Sequence, residues 1–204
     1  MLFLRYVDPT TSSFILQNER SAGRSASMQW TPLEHISESL QLAVMASEDQ
    51  KFPFHRGLDV IQIRNAFAVN QNRIRPLGAS TITQQTIKNL FLWSGQSYVR
   101  KGVEAWLALW LELIVPKYRI LEIYVNIAQW GPTHYGAEVA AQRYFDISAS
   151  DLNDQQAALL AASLPSPSRS TPDQPSEYLT AQANKVLAII PTLRTQGYIV
   201  GLYL

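Results

Sequence analysis

The sequence predicts a single all-α domain. Apolar residues recur at three- and four-residue spacings through most of the chain, strand signals are scarce, and neither an internal repeat nor a domain linker breaks the pattern. With 204 residues, 47% of them hydrophobic, the chain can bury on the order of 70% of its unfolded surface in one core.

The N-terminal stretch is the least regular. Tyr6-Val7 and Phe14-Ile15-Leu16 read as a small ribbon, followed by a loose Ser/Arg-rich segment from Asn18 to Met28. Helices are then expected near 32–48, 59–70, 80–92, 97–115, 117–129, 136–145, 153–163 and 177–196. The first is signalled by Thr31 as a capping hydroxyl, Pro32 at the first helical position and Glu34 three residues after the cap. The prolines of Leu164 to Pro172 preclude a helix and mark an extended crossing segment, and Pro191 should kink the last helix. Ala105 to Leu111 is nearly all apolar and is expected to be largely buried.

Charge and composition exclude several classes. Seventeen Lys and Arg against sixteen Asp and Glu give no bulk attraction for nucleic acid, so any anion site must be local. There are no cysteines, which removes disulfides, thiolate metal sites and a cysteine nucleophile. The longest apolar stretch, Ala105 to Val115, contains Glu112 and is too short to span a bilayer.

Three charged groups carry the candidate chemistry. Ile36, Leu40, Val44 and Glu48 fall at successive steps of four, which sets the Glu48 carboxylate in line with buried aliphatics; desolvation there raises a carboxyl pKa toward the range of a general acid or base. A solvated helix end is the competing reading. In Gly78 to Asn89, Ser80 is a plausible N-cap that leaves backbone N–H groups free at a positive helix end, with Thr81, Gln84, Gln85 and Lys88 on one polar face. Either a phosphate site or an ordinary capped helix fits that pattern. Arg100 and Lys101 both reach Glu104 along one helix turn, as either an exposed ion pair or a charged cluster heading a buried helix.

Taken together, these segments resemble the peptidoglycan glycosyltransferases of family fifty-one, most closely the monofunctional biosynthetic transglycosylases. The likeness rests on Glu48-Asp49-x-x-Phe52-x-x-His55-x-Gly57, the run from Gly78 to Leu90, Arg100-Lys101-x-x-Glu104, and Arg119-x-x-Glu122-x-Tyr124-x-Asn126, in the family's order and covering roughly residues 30 to 200. The resemblance implies a lysozyme-like helical fold on the periplasmic or outer face of the bacterial cytoplasmic membrane, where lipid II is polymerised by inverting transfer with release of undecaprenyl diphosphate. Glu48 matches the catalytic base and Glu104 the second essential glutamate. The latter either organises the cations around the diphosphate or assists departure through a divalent ion such as Mg or Mn. Lys88, Arg100, Lys101 and Gln85 carry over as substrate contacts, and Ser80, Thr81, Asp49 and His55 as motif positions that shape the site.

The family also implies a small mobile membrane-proximal jaw over 58–77. There Val60, Ile61, Ile63, Phe67, Val69 and Ile74 alternate with Arg64, Arg73 and Arg75, and a core helix followed by a loop is the competing reading. The implied partners are lipid II, the growing glycan chain, the lipid bilayer, and cell-wall synthesis or division proteins. Two features depart from the family. Gln129 stands where relatives often carry an acidic residue, and the anchor helix that normally precedes the domain is not in this chain, so a trimmed N-terminus is expected. A lysozyme-like hydrolase or lytic transglycosylase, and a non-catalytic membrane-associated scaffold, are the alternative functions. The cations argue against the first, because a neutral glycan does not need them.

Overall fold

The computed structural model describes residues 1–70, 80–95 and 97–204, with side chains left out of the description at 67–70. Ten α-helices occur among them: α1 Ser13–Ala22, α2 Glu38–Glu48, α3 Val60–Asn70, α4 Ile82–Phe91, α5 Tyr98–Ile114, α6 Lys117–Ile127, α7 Ala137–Phe145, α8 Asp154–Ser163, α9 Glu177–Thr195 and α10 Tyr198–Gly201. One two-stranded parallel pair, β1 Ser27–Met28 with β2 His134–Tyr135, is the only named sheet described. The all-α expectation holds.

At the centre lies α2, where Leu40, Leu42, Ala43, Val44 and Met45 are fully buried. A helix apolar on every side belongs in the middle of a core, and α8 and α9 pack on one flank of it while α4, α5 and α6 form an adjoining layer. The helix starts later than the capping signal at Thr31 suggests. Thr31 donates its N–H to Asn126 Oδ1 and accepts from Asn126 Nδ2, both at 2.8 Å, so its backbone is committed to α6. A short 3-10 helix, Leu33–His35, intervenes, and Ile36 is extended with its side chain buried. Ser37 then caps α2 by accepting from Leu40 N, and the Gln41 amide donates to the Leu33 and Ile36 carbonyls left by the break.

The N-terminal ribbon is not formed. Leu2–Arg5 is a 3-10 helix and Phe14 to Leu16 lie within α1, whose cap is Ser12. Arg119 secures this segment: its guanidinium donates to the Leu4 carbonyl at 2.9 Å, pairs with Asp8 at 2.7 Å and with Glu122, and lies 5.1 Å from the Trp30 ring centre. Residues 164–172 form successive turns instead of an extended crossing. Pro191 lies inside a continuous α9.

The burial expected for α5 is also corrected. Of its residues only Glu104, Ala108 and Leu111 are buried, whereas Val99, Val103, Trp106, Leu109, Trp110 and Leu113 are exposed. Positions 99, 103, 106, 110 and 113 step by four and three, which makes one continuous apolar face on the outside of the molecule. Among the described residues, no helix is long and apolar enough to cross a membrane. Phe67 and Val69 as side chains, and Arg73, Ile74, Arg75 and Gly78 altogether, lie outside the described residues. The described part of the jaw segment favours the outward reading, since Val60, Ile61 and Ile63 of α3 are all exposed.

Candidate active site

Glu48 is the last residue of α2, so its side chain leaves the core helix where Gln85 of α4 reaches it. Burial raises its pKa. A hydrogen bond from Gln85, a weaker one from Ser47 and the charge of Lys88 act in the opposite sense, while Asp49 adds to the rise. Gln85 Nε2 donates to Glu48 Oε2 at 2.8 Å. Ser47 Oγ lies 3.3 Å from Glu48 Oε1 and 3.2 Å from the Ala161 carbonyl, and its single proton serves one of them at a time.

The next residue points the other way. Asp49 is 4% exposed, and its Oδ2 accepts from His55 Nε2 at 2.8 Å and from the backbone N–H of Ile82, the first residue of α4, at 3.0 Å. A negative charge at the N-terminus of α4 complements the helix dipole. His55 therefore carries its proton on Nε2, leaving Nδ1 without a partner among the described residues.

The start of α4 differs from the expectation. Thr81, not Ser80, is the N-cap: it accepts from Gln84 N while Gln84 Oε1 accepts from Thr81 N, a complete capping box. Thr81 Oγ1 also donates to the Gly57 carbonyl at 2.6 Å. Gly57 sits at φ +83, and a Cβ there would come within 3.0 Å of the Ala108 carbonyl oxygen. With the N–H groups of Thr81, Ile82 and Gln84 committed inside the protein, this end of α4 is braced and does not form the open anion cradle read from the sequence. Ser80 instead accepts from Lys101 Nζ at 2.8 Å.

The cations gather one turn along α4 and at the start of α5. Arg100 NH1 donates to Glu104 Oε2 at 3.0 Å, and Lys101 Nζ donates to Glu104 Oε1 and to Ser80. Glu104 is 1% exposed, which settles the sequence alternatives in favour of a charged cluster at a buried position. Burial lowers the pKa of Lys88; the charge of Glu104 raises it, Lys101 and Arg100 lower it, and Glu48 raises it. Lys88 Nζ lies 5.4 Å from the ring centre of Phe14, donated by α1. Lys88 thus stands within electrostatic reach of both glutamates.

A protein-held divalent cation does not fit this arrangement. Both Glu104 oxygens face cations, and the described residues contain no group of three metal-ligating side chains.

Several participants were not identified in the sequence. Tyr124, fully buried on α6, donates to Gln85 Oε1 at 3.2 Å. Glu112 receives Thr83 Oγ1 at 2.5 Å and Lys117 Nζ at 2.7 Å, and that ammonium also lies 4.3 Å from the Phe52 ring centre, so the cluster ties α4, α5 and α6 beneath the site. A cavity of about 530 Å³ opens on the far side of Ser47, lined by Gln50, Arg169, Tyr178 and Lys185 among others. The only sequence signal for Tyr124 is its place two residues before Asn126 in a shared motif. Gln129 donates to the carbonyls of Gly131 and Pro132 and to Ser168, which is a structural use of the departure noted above.

Comparison with known proteins shows the family to which the chain belongs. Residues 16–190 match the family described as Transglycosylase. The chain is 42% identical over 207 residues to a biosynthetic peptidoglycan transglycosylase of Pseudomonas entomophila, covering 99% of this chain and 88% of that protein. It is 47% identical over 184 residues to the protein so named from Shewanella oneidensis, covering 88% and 78%, and 52% identical over 166 residues to that from Salmonella arizonae, covering 81% and 69%. The matched region contains Glu48, Gln85, Lys88, Arg100, Lys101 and Glu104, and the chain belongs to the transglycosylase family.

Proposed function

We infer that this transglycosylase is a peptidoglycan glycosyltransferase of bacterial cell-wall synthesis, polymerising lipid II by inverting transfer with Glu48 as general base. The observation that carries the reading is the buried Glu48 carboxylate hydrogen-bonded to Gln85 of α4, the same helix that carries Lys88, whose ammonium feels the charges of both Glu48 and Glu104. Glu48 takes the proton of the acceptor 4-hydroxyl as that oxygen attacks the anomeric carbon of the donor chain. The bond from that carbon to the diphosphate breaks, and Lys88, Arg100 and Lys101 stabilise the charge left on undecaprenyl diphosphate. Glu104 holds Arg100 and Lys101 in place, and its charge partly offsets theirs before substrate binds. The cavity beyond Ser47, with Arg169 and Lys185 in its lining, is a suitable approach for the acceptor.

A hydrolase with the same fold would have no use for three cations beside its acid, and they favour transfer from a lipid diphosphate. The outer face of α5 supports a position at the membrane surface. Its Trp106 and Trp110 are side chains that partition well into the headgroup layer, and Arg5 NH1 reaches the Ile114 carbonyl, bringing the exposed Leu2 and Phe3 to the same end of that helix. The bilayer contact then extends from the jaw onto α5. Incubation of purified protein with labelled lipid II tests the assignment: glycan strands form with the native chain, and retention of that activity by Glu48→Gln would remove Glu48 from the mechanism.

A further inference from the structure

Between Glu48 and the core runs a short hydrogen-bond chain whose direction is set at its buried end. Tyr124 OH donates to Gln85 Oε1 at 3.2 Å, and Gln85 Nε2 donates to Glu48 Oε2 at 2.8 Å. We propose that Tyr124 is a positioning residue for glycosyl transfer: by donating to Gln85 Oε1 it turns the Gln85 amide so that its NH2 faces Glu48, which keeps that carboxylate ionised and fixes which oxygen is free to accept a proton.

The reasoning is one of donors and acceptors. A neutral phenol has one proton to give, and among the described residues Gln85 Oε1 is its partner. The Tyr124 side chain is enclosed, and burial together with the charges of Glu48 and Asp49 holds its pKa well above the ordinary value, so it remains a donor across the working pH range. If the amide were reversed, Gln85 would present its carbonyl to Glu48 and could bond only a protonated carboxyl, leaving the Tyr124 proton without an acceptor. The observed orientation therefore favours the ionised form of a carboxyl that burial would otherwise keep protonated. It also occupies Oε2. Oε1, shared among the described residues only with the Ser47 hydroxyl, is left to take the acceptor proton.

The groups that bear on Glu48 are Ser47 and Asp49 from its own segment, Gln85 and Lys88 from α4, and Tyr124 from α6. Of these, Asp49 is anchored to His55 and Ile82 N, and Lys88 acts by charge alone, so Gln85 is the principal hydrogen-bond donor to the carboxylate. Its rotation is under the control of Tyr124.

The proposal rests on reading Glu48 as the base, and the test separates the two. In Tyr124→Phe, with lipid II as substrate, the acid limb of the kcat–pH profile should move up by about one unit, a roughly tenfold loss on the acid side of the limb that recovers on the plateau, with KM within about twofold of wild type. Introduced into Gln85→Ala, the same change should have no further effect on the profile, because Tyr124 acts through Gln85. An equal loss at every pH, or an additive loss in the double variant, would mean that Tyr124 only packs, and would overturn the proposal. Should Tyr124→Phe fail to fold, Gln85→Leu reads the same limb, and an unmoved limb there overturns it equally. Activity retained in Glu48→Gln would defeat the base assignment itself, a result distinct from an inactive Glu48→Gln alongside an unshifted Tyr124→Phe.

Discussion

Asp49 Oδ2 accepts the backbone N–H of Ile82 at 3.0 Å, so the residue that follows Glu48 anchors the helix carrying Gln85 and Lys88. Two successive carboxylates at the end of α2 thus have different duties, one facing the cleft and one holding the next helix in register. The Asp49→Ala variant should lose about 1–3 kcal/mol of stability, because Ile82 N is then left buried without an acceptor and His55 without its partner. Urea unfolding checks the size, and lipid II polymerisation should fall with it, since Gln85 no longer meets Glu48 at the same distance.

Glu48 itself should oppose stability. Its folded pKa lies above the ordinary carboxylate value because burial disfavours the charge, so its contribution is fully present below the unfolded pKa and lost as pH rises through the folded one. Glu48→Gln is therefore expected to raise the melting temperature at pH 7 but not near pH 4, while polymerisation drops by about a hundredfold or more. Parallel thermal scans at the two pH values check the sign, and a lower melting temperature at pH 7 would contradict it.

The Arg100–Lys101–Glu104 cluster makes the opposite expectation for stability. Glu104→Gln leaves two cations without their counter-charge at a position 1% exposed, and the loss should be about 3 kcal/mol, reduced to the extent that the half-exposed Lys101 turns to water. By contrast Lys88→Ala and Arg100→Ala should weaken use of the lipid-diphosphate donor by roughly 1.5–3 kcal/mol each, read from kcat/KM on lipid II.

The apolar face of α5 is the place to test membrane contact. Changing Trp106 and Leu113, both well exposed, to Ser should leave the melting temperature nearly unchanged while lowering binding to liposomes of anionic lipid and activity on bilayer-embedded lipid II. Equal losses in detergent and in bilayers would argue that the face has another use.

Much of this protein was legible in its sequence because it depends on local order. The helical class, the positions of α4 to α9 to within a few residues, and the alignment of Glu48 with Leu40 and Val44 all follow from periodicity and capping chemistry, which act over one or two turns. Motif order likewise brought Glu48, Lys88, Arg100, Lys101 and Glu104 together. What local patterns could not decide was which of several competent partners each group takes. Thr31 and Ser37 can both cap a helix, and the choice falls to Ser37 because Asn126, far along the chain, claims the Thr31 backbone. The N–H groups at the start of α4 look free until Asp49 and the Thr81–Gln84 box engage them. The apolar run of α5 reads as core, yet Trp106 and Leu113 face outward because the helix turns its other side, with Glu104, Ala108 and Leu111, to the layer beneath. Tyr124 is one more aromatic on an apolar helix until folding sets its hydroxyl against Gln85. Hydrogen-bond satisfaction and burial are properties of the assembled chain, and only the tertiary structure determines them.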